Sequence, residues 1–126
     1  MWSLVLCVAQ YRVRHGGAGV DGALAKMEAE LRRGVLVLAV LSRLRSPQYG
    51  YSLRQALDEG GMPVEEGTLY PLLRRLEAQG VLESSWNTDG ASPRRYYWLS
   101  QDGLRLYQAI SASWRRQVDV MDTLLD

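Results

Sequence analysis

Apolar residues recur along this chain in two rhythms, and the change between them divides it. From Glu28 to Leu44 the residues Leu31, Val35, Leu38, Leu41 and Leu44 return every three or four positions, the spacing of one face of an α-helix. Ser46-Pro47 ends that helix, because proline lacks the N–H a further turn needs. Leu53, Ala56 and Leu57 predict a second helix over Tyr51–Glu59, and Gly60-Gly61-Met62-Pro63 is the turn after it. Leu69, Leu72, Leu73 and Leu76 fall at i, i+3, i+4 and i+7 and predict a third helix, from Glu65 to a terminating glycine at Gly80. Glu65 and Glu66 put negative charge at its start, where the helix dipole favours it, and Pro71 is tolerated there because it lies close to that start. The apolar stripe leaves Thr68, Tyr70, Arg74 and Arg75 off its face.

Past Gly80 the rhythm shortens to that of strands. Leu82–Trp86 and Arg95–Leu99 are the arms of a β-hairpin, joined by the turn-rich Asn87–Pro93. Tyr96 and Tyr97 point to opposite faces, so one of them belongs to the core. Ser100 then caps a last helix, with Asp102 in its first turn, that runs to Leu125. Its apolar positions are Leu104, Tyr107, Ile110, Ala112, Trp114, Val118, Met121 and Leu125. Such a chain is mainly α with a small β-hairpin: a winged helix-turn-helix plus a C-terminal helix. That plan places one helix in the DNA major groove. Thr68 then stands at the helix start, near a phosphate or a base edge, and Tyr70 and Arg74 lie one turn apart on the polar side. Arg75 turns towards the wing or towards neighbouring acids. Arg94 and Arg95 read either as a solubilising hairpin tip or as contacts to phosphates and the minor groove.

Gly67-Thr68-Leu69-Tyr70-Pro71-Leu72-Leu73, with Leu76-Glu77, Gly80 and Tyr96-Tyr97, resembles the PadR family of bacterial transcriptional regulators. Tyr49-Gly50-Tyr51 and Gly34 fit the same pattern, and the resemblance spans Glu28 to Leu125. The short C-terminal part resembles the compact subgroup, with one helix after the wing. The resemblance implies a recognition helix carrying Thr68, Tyr70 and Arg74, a DNA-facing Tyr51, and a structural Tyr96-Tyr97 pair. It also implies a homodimer on a palindromic operator. The wing departs from the family's Gly-Gly-Arg-Pro-Arg type, since Gly90-Ala91-Ser92-Pro93-Arg94 has Ser92 for one arginine. Trp98 stands where a basic residue is common, and both departures lower the expected phosphate contacts.

Charge sharpens this picture. The net charge is +1, and setting aside Arg12, Arg14, Lys26 and Asp21 leaves 12 basic against 13 acidic residues from Met27 onward, a net of −1. DNA affinity must therefore come from local patches. Two are visible: five arginines and no acid from Leu31 to Arg54, and two arginines and no acid from Gly90 to Gln101. The single cysteine, Cys7, excludes an internal disulfide and a multi-cysteine metal site and fits a reducing cytoplasm. The single histidine, His15, builds no triad, the glycines form no phosphate loop, and no apolar run reaches the ~18 residues of a membrane span. No enzyme activity, cofactor or metal is expected.

The expected organisation is an N-terminal extension over residues 1–26, a DNA-binding domain over 27–99 and a dimerisation helix over 100–126. The glycines at Gly16, Gly17, Gly19 and Gly22 argue against a packed element in the extension, which reads as an upstream start or a disordered arm. Its sharper reading is a functional helix over Trp2–Arg14. On the last helix, Trp114 with Ile110, Val118 and Met121 fills a dimer interface or lines a slot for a planar hydrophobic effector. Some members of the compact subgroup place a tryptophan of this helix in such a cavity. The functional expectation is a ligand-responsive repressor; its rival is a winged-helix dimer that binds a small molecule or protein and has lost tight DNA binding.

Overall fold

The computed structural model describes residues 17–126, so Trp2–Arg14, Cys7 and His15 lie outside the described residues. The first helix among the described residues, α1, spans Gly17–Arg43 and thus begins well before the expected Glu28. Ala23-Leu24-Ala25-Lys26-Met27-Glu28 are strong helix formers. They offset Gly19 and Gly22, each of which costs about 1 kcal/mol relative to alanine. Every residue from Asp21 to Gly34 is nevertheless exposed. The inward face also differs from the expected one: Leu36, Val40, Leu41 and Leu44 are buried, whereas Val35 and Leu38 are half-buried and Leu31 is 72% exposed. Val35–Leu41 is apolar on every side, so periodicity alone could not choose between two stripes.

After α1 comes a two-residue strand, β1 (Gln48–Tyr49), then α2 (Gly50–Glu59) and α3 (Glu66–Ala78). The Tyr49 N–H donates to Ser52 Oγ at 3.1 Å, closing the first turn of α2. Leu53 and Leu57 of α2 and Leu69, Leu72, Leu73 and Leu76 of α3 are all buried, as their spacing predicts. Gly80 ends α3 with φ of +78°, a left-handed conformation that only glycine adopts freely.

The hairpin is β2 (Leu82–Asn87) and β3 (Arg94–Leu99). It carries a third strand that the pattern did not predict: β1 pairs antiparallel with β3, Gln48 opposite Tyr97 and Tyr49 opposite Tyr96. Two residues are too short to show a period. The last helix, α4, spans Gln101–Leu125, and Ser100 Oγ accepts the Gly103 N–H at 2.9 Å as its cap. Gly103 is the buried residue of α4, because a Cβ there would run into the Val81 carbonyl.

Leu36–Ser113 form one compact unit, which holds α2, α3 and the sheet; the distal parts of α1 and α4 belong to a second. The core of the first unit is mainly leucine from α1, α2 and α3 together with Val40, and Val81, Leu82 and Tyr97 join it from the wing side. Among the described residues no polar or charged side chain is buried.

Candidate nucleic-acid interface

The stripe that buries four leucines of α3 leaves Thr68, Arg74 and Arg75 exposed on the opposite side. Neither arginine is held by a carboxylate among the described residues. Tyr70 behaves differently. It is half-buried against the core, and its ring lies over the start of α2, where a Cβ on Gly50 would collide with it. Tyr70 thus fixes the packing of α3 on α2 and presents only part of its ring outward.

The wing separates its two arginines by the alternation of β3. Arg94 is exposed, with its guanidinium 4.4 Å from the centre of the Tyr49 ring. Tyr49 in turn meets the edge of Tyr96 at 5.4 Å and lies 6.4 Å from Tyr51, with the two rings 25° from parallel. Arg94 therefore sits over an aromatic ladder at the rim of the wing.

Arg95 shares the inner face of β3 with Tyr97. Its Nη2 donates to Glu77 Oε1 at 2.8 Å, and its Nε donates to Ser84 Oγ at 3.0 Å. The Ser84 hydroxyl donates to the other carboxylate oxygen, Glu77 Oε2. Arg95 was expected at the wing rim; its guanidinium is instead engaged within the protein. Tyr97 beside it has its hydroxyl pKa raised by burial, an effect that the nearby Arg95 cation opposes and the Glu77 carboxylate reinforces.

These side chains border a shallow depression of about 300 Å³ between α3, the start of α2 and the wing. Tyr49, Tyr51, Tyr70 and Tyr97 line it with Arg94 and Arg95. The structure thus brings together Tyr51, Tyr70, Arg94 and Arg95, while Thr68, Arg74 and Arg75 stand apart on the open face of α3. Arg54, part of the basic run read from the sequence, is not free: Nη1 pairs with Glu66 Oε1 at 3.0 Å and Nε donates to the Val64 carbonyl at 3.2 Å, which pins the turn before α3. On α4, Trp114, Ile110 and Met121 are exposed and Val118 is half-buried.

Sequence reading missed Tyr49, Gly50, Glu77 and Ser84 as parts of this surface. Ser84 carries no signal of its own, and Glu77 entered only as part of the family resemblance. Arg95 lies two residues before Tyr97 and shares its face, but the pattern left open which of Tyr96 and Tyr97 is core, so its inward turn was not readable.

Two helices joined by a turn, followed by a β-wing, define the winged helix class of DNA-associated folds. The model of the PadR-like family of transcriptional regulators matches residues 37–109, and the chain belongs to that family. A PadR family transcriptional regulator from Eggerthella lenta is similar in structure with a TM-score of 0.79 and 46% identity, over 86% of this chain and 97% of that one. A PadR-like transcription factor from Bacteroides fragilis matches with a TM-score of 0.66 and 32% identity, over 79% of this chain and 98% of that one. Transcriptional regulator Rv3488 of Mycobacterium tuberculosis is 38% identical over 69 residues, which are 54% of this chain and 64% of that protein. Among the described residues no helix is long and apolar enough to cross a membrane.

Proposed function

We propose that this regulator is a sequence-specific DNA-binding repressor, not an enzyme, that acts in the cytoplasm as a homodimer and answers to a small molecule. The observation that carries the reading is the pair of exposed arginines on α3, Arg74 and Arg75, without carboxylate partners among the described residues; Arg94 on the ring of Tyr49 adds a further exposed cation on the wing. In this reading α3 lies in the major groove. Arg74 reaches a base edge, with Arg75 beside it, and Thr68 meets a phosphate or a base edge at the helix start. Tyr51 and the exposed part of Tyr70 contact the backbone, and Arg94 meets phosphate or the minor groove.

Residues 27–99 serve as the DNA-binding part and residues 100–126 as the dimerisation helix, while residues 1–26 are dispensable for both. Pairing through α4 presents two recognition helices to a palindromic operator, about 34 Å apart on one side of the duplex. A planar hydrophobic effector stacked on Trp114, with Ile110, Val118 and Met121 around it, changes that spacing. Its effect is limited to its differential affinity for the two arrangements. Loss of planar-dye binding in a dimeric Trp114→Ala protein supports the effector half of this reading, and unchanged binding ends it.

The net of −1 from Met27 onward favours one rival, a winged-helix dimer that no longer holds DNA tightly. Selection from a random duplex pool, followed by salt titration, decides between them. An enriched palindrome whose binding falls steeply with salt is the expected result. No enrichment, with no salt-dependent binding, sinks the DNA reading.

A further inference from the structure

We propose that Glu77, Ser84 and Arg95 form a clasp that fixes the angle of the wing on α3 and so positions Arg94 and Arg74 for the same stretch of DNA. Arg95 then acts through the protein and touches no DNA. This inference rests on the DNA-binding reading above and assigns its positioning residues.

The geometry is closed. Both oxygens of Glu77 are used, one by Arg95 Nη2 at 2.8 Å and one by the Ser84 hydroxyl. Arg95 Nε completes the ring to Ser84 Oγ at 3.0 Å. The three residues come from three elements: the last turn of α3, the middle of β2 and the start of β3. Ser84 faces Tyr97 in the register and Trp86 faces Arg95, so Ser84 and Arg95 are diagonal neighbours on one face of the ribbon.

Backbone hydrogen bonds join the base of the wing to the end of α3, where Val81 N–H donates to Leu76 O at 2.9 Å and Ser100 N–H donates to Val81 O at 3.0 Å, and β1 pairs with β3 at Tyr96 and Tyr97. That pairing holds β3 from the side of β1; the clasp is a side-chain tie between the wing and α3. With side chains 36% and 28% exposed, the ion pair is partly screened and adds little stability. Its three directed bonds instead specify an orientation. A free Arg95 would also add a mobile cation beside the DNA face; pairing it with Glu77 removes that contribution to sequence-independent binding.

Charge and position predict opposite results for Glu77→Gln, which is why it is a useful test. The variant removes a negative charge near the DNA. If Glu77 were only a surface charge, binding to every duplex would tighten. If it is a positioning residue, affinity for the selected operator falls while binding to random duplex holds or tightens. The expected loss is about tenfold in the specific-to-random ratio, the size of one misplaced base contact. The exchange Glu77→Arg with Arg95→Glu keeps the charge and restores the pair, so it is expected to recover most of that ratio.

For Arg95→Gln we expect a weaker operator complex with an unchanged salt slope. A slope reduced by about one would mean that Arg95 meets a phosphate, and would overturn the clasp. Amide hydrogen exchange on the free protein reads the clasp without DNA: Glu77→Gln speeds exchange in the wing beyond Ser84 and leaves α2 unchanged. If the native protein selects no operator, the DNA reading fails, but faster wing exchange still upholds the clasp as a tie between wing and helix. Unchanged wing exchange, or an unchanged specificity ratio in Glu77→Gln, overturns it.

Discussion

Adjacent residues can have opposite roles when a strand alternates. Arg94 lies exposed over Tyr49, and Arg95 turns inward to Glu77 and Ser84. Gly103 makes a comparable point about space. It lets α4 approach the Val81 carbonyl so closely that no Cβ fits. Gly103→Ala is therefore expected to destabilise the protein by ~1–3 kcal/mol, because a backbone group must shift to admit the methyl. A denaturant titration measures this, and a loss well below that range would show that α4 can slide. Tyr97 offers a second test. Burial raises its pKa above the ordinary 10.0, so the folded state holds the phenolic proton more tightly than the unfolded state. Its stabilising share is complete below pH 10 and is lost as the pH climbs above that value towards the folded-state pKa. Tyr97→Phe is expected to flatten the alkaline fall in stability, measured as midpoint against pH. An alkaline fall as steep as the native protein's would place the pH-sensitive group elsewhere. At this scale the sequence was legible where period and burial agreed, as for Leu69 and Leu73; of Tyr96 and Tyr97, the second of which the structure buries, it told only that one is core. It was not legible where two apolar stripes competed, as at Leu31, or where an aromatic side chain bridged two helices, as at Tyr70.

Helix α3 was readable from its 3.6-residue period, and the wing from two short arms around the turn-rich Asn87–Pro93. Strand β1 was not, since Gln48–Tyr49 has no period and forms only because β3 offers it an edge. That strand matters for the site: it sets Tyr49 under Arg94 and starts α2 at Gly50, beneath the ring of Tyr70. The two arms of the surface should therefore fail in different ways. Arg74→Ala on α3 is expected to cost ~1–3 kcal/mol on the selected operator and little on random duplex, the mark of a base contact. Arg94→Ala on the wing is expected to weaken both complexes and to reduce the salt slope by about one. Identical behaviour of the two variants in a salt-resolved titration would mean that helix and wing have been assigned the wrong parts.

Two long helices leave the unit that holds the core with much of their apolar surface uncovered. On α4, Leu104, Ile110, Trp114, Met121 and Leu125 are 39–58% exposed, and on α1 Leu24, Met27 and Leu31 are 49–72% exposed. Monomers seldom leave so many large apolar side chains of one helix to water. A second copy of the chain is the simplest cover, and a two-fold pair would also give the palindromic reading its symmetry. The exposure of these side chains supplies the test. Trp114→Glu combined with Met121→Glu removes no contact of the buried core, so a lone chain should retain its helix content. In a dimer the same carboxylates would be desolvated against apolar partners at considerable cost. We expect sedimentation to show a dimer for the native protein and a folded monomer for the double variant. Operator affinity should drop towards that of a single half-site, because only the dimer engages both grooves at once. A native protein that stays monomeric at every concentration, or a double variant that still dimerises, would remove α4 from this role and leave its apolar face to another partner.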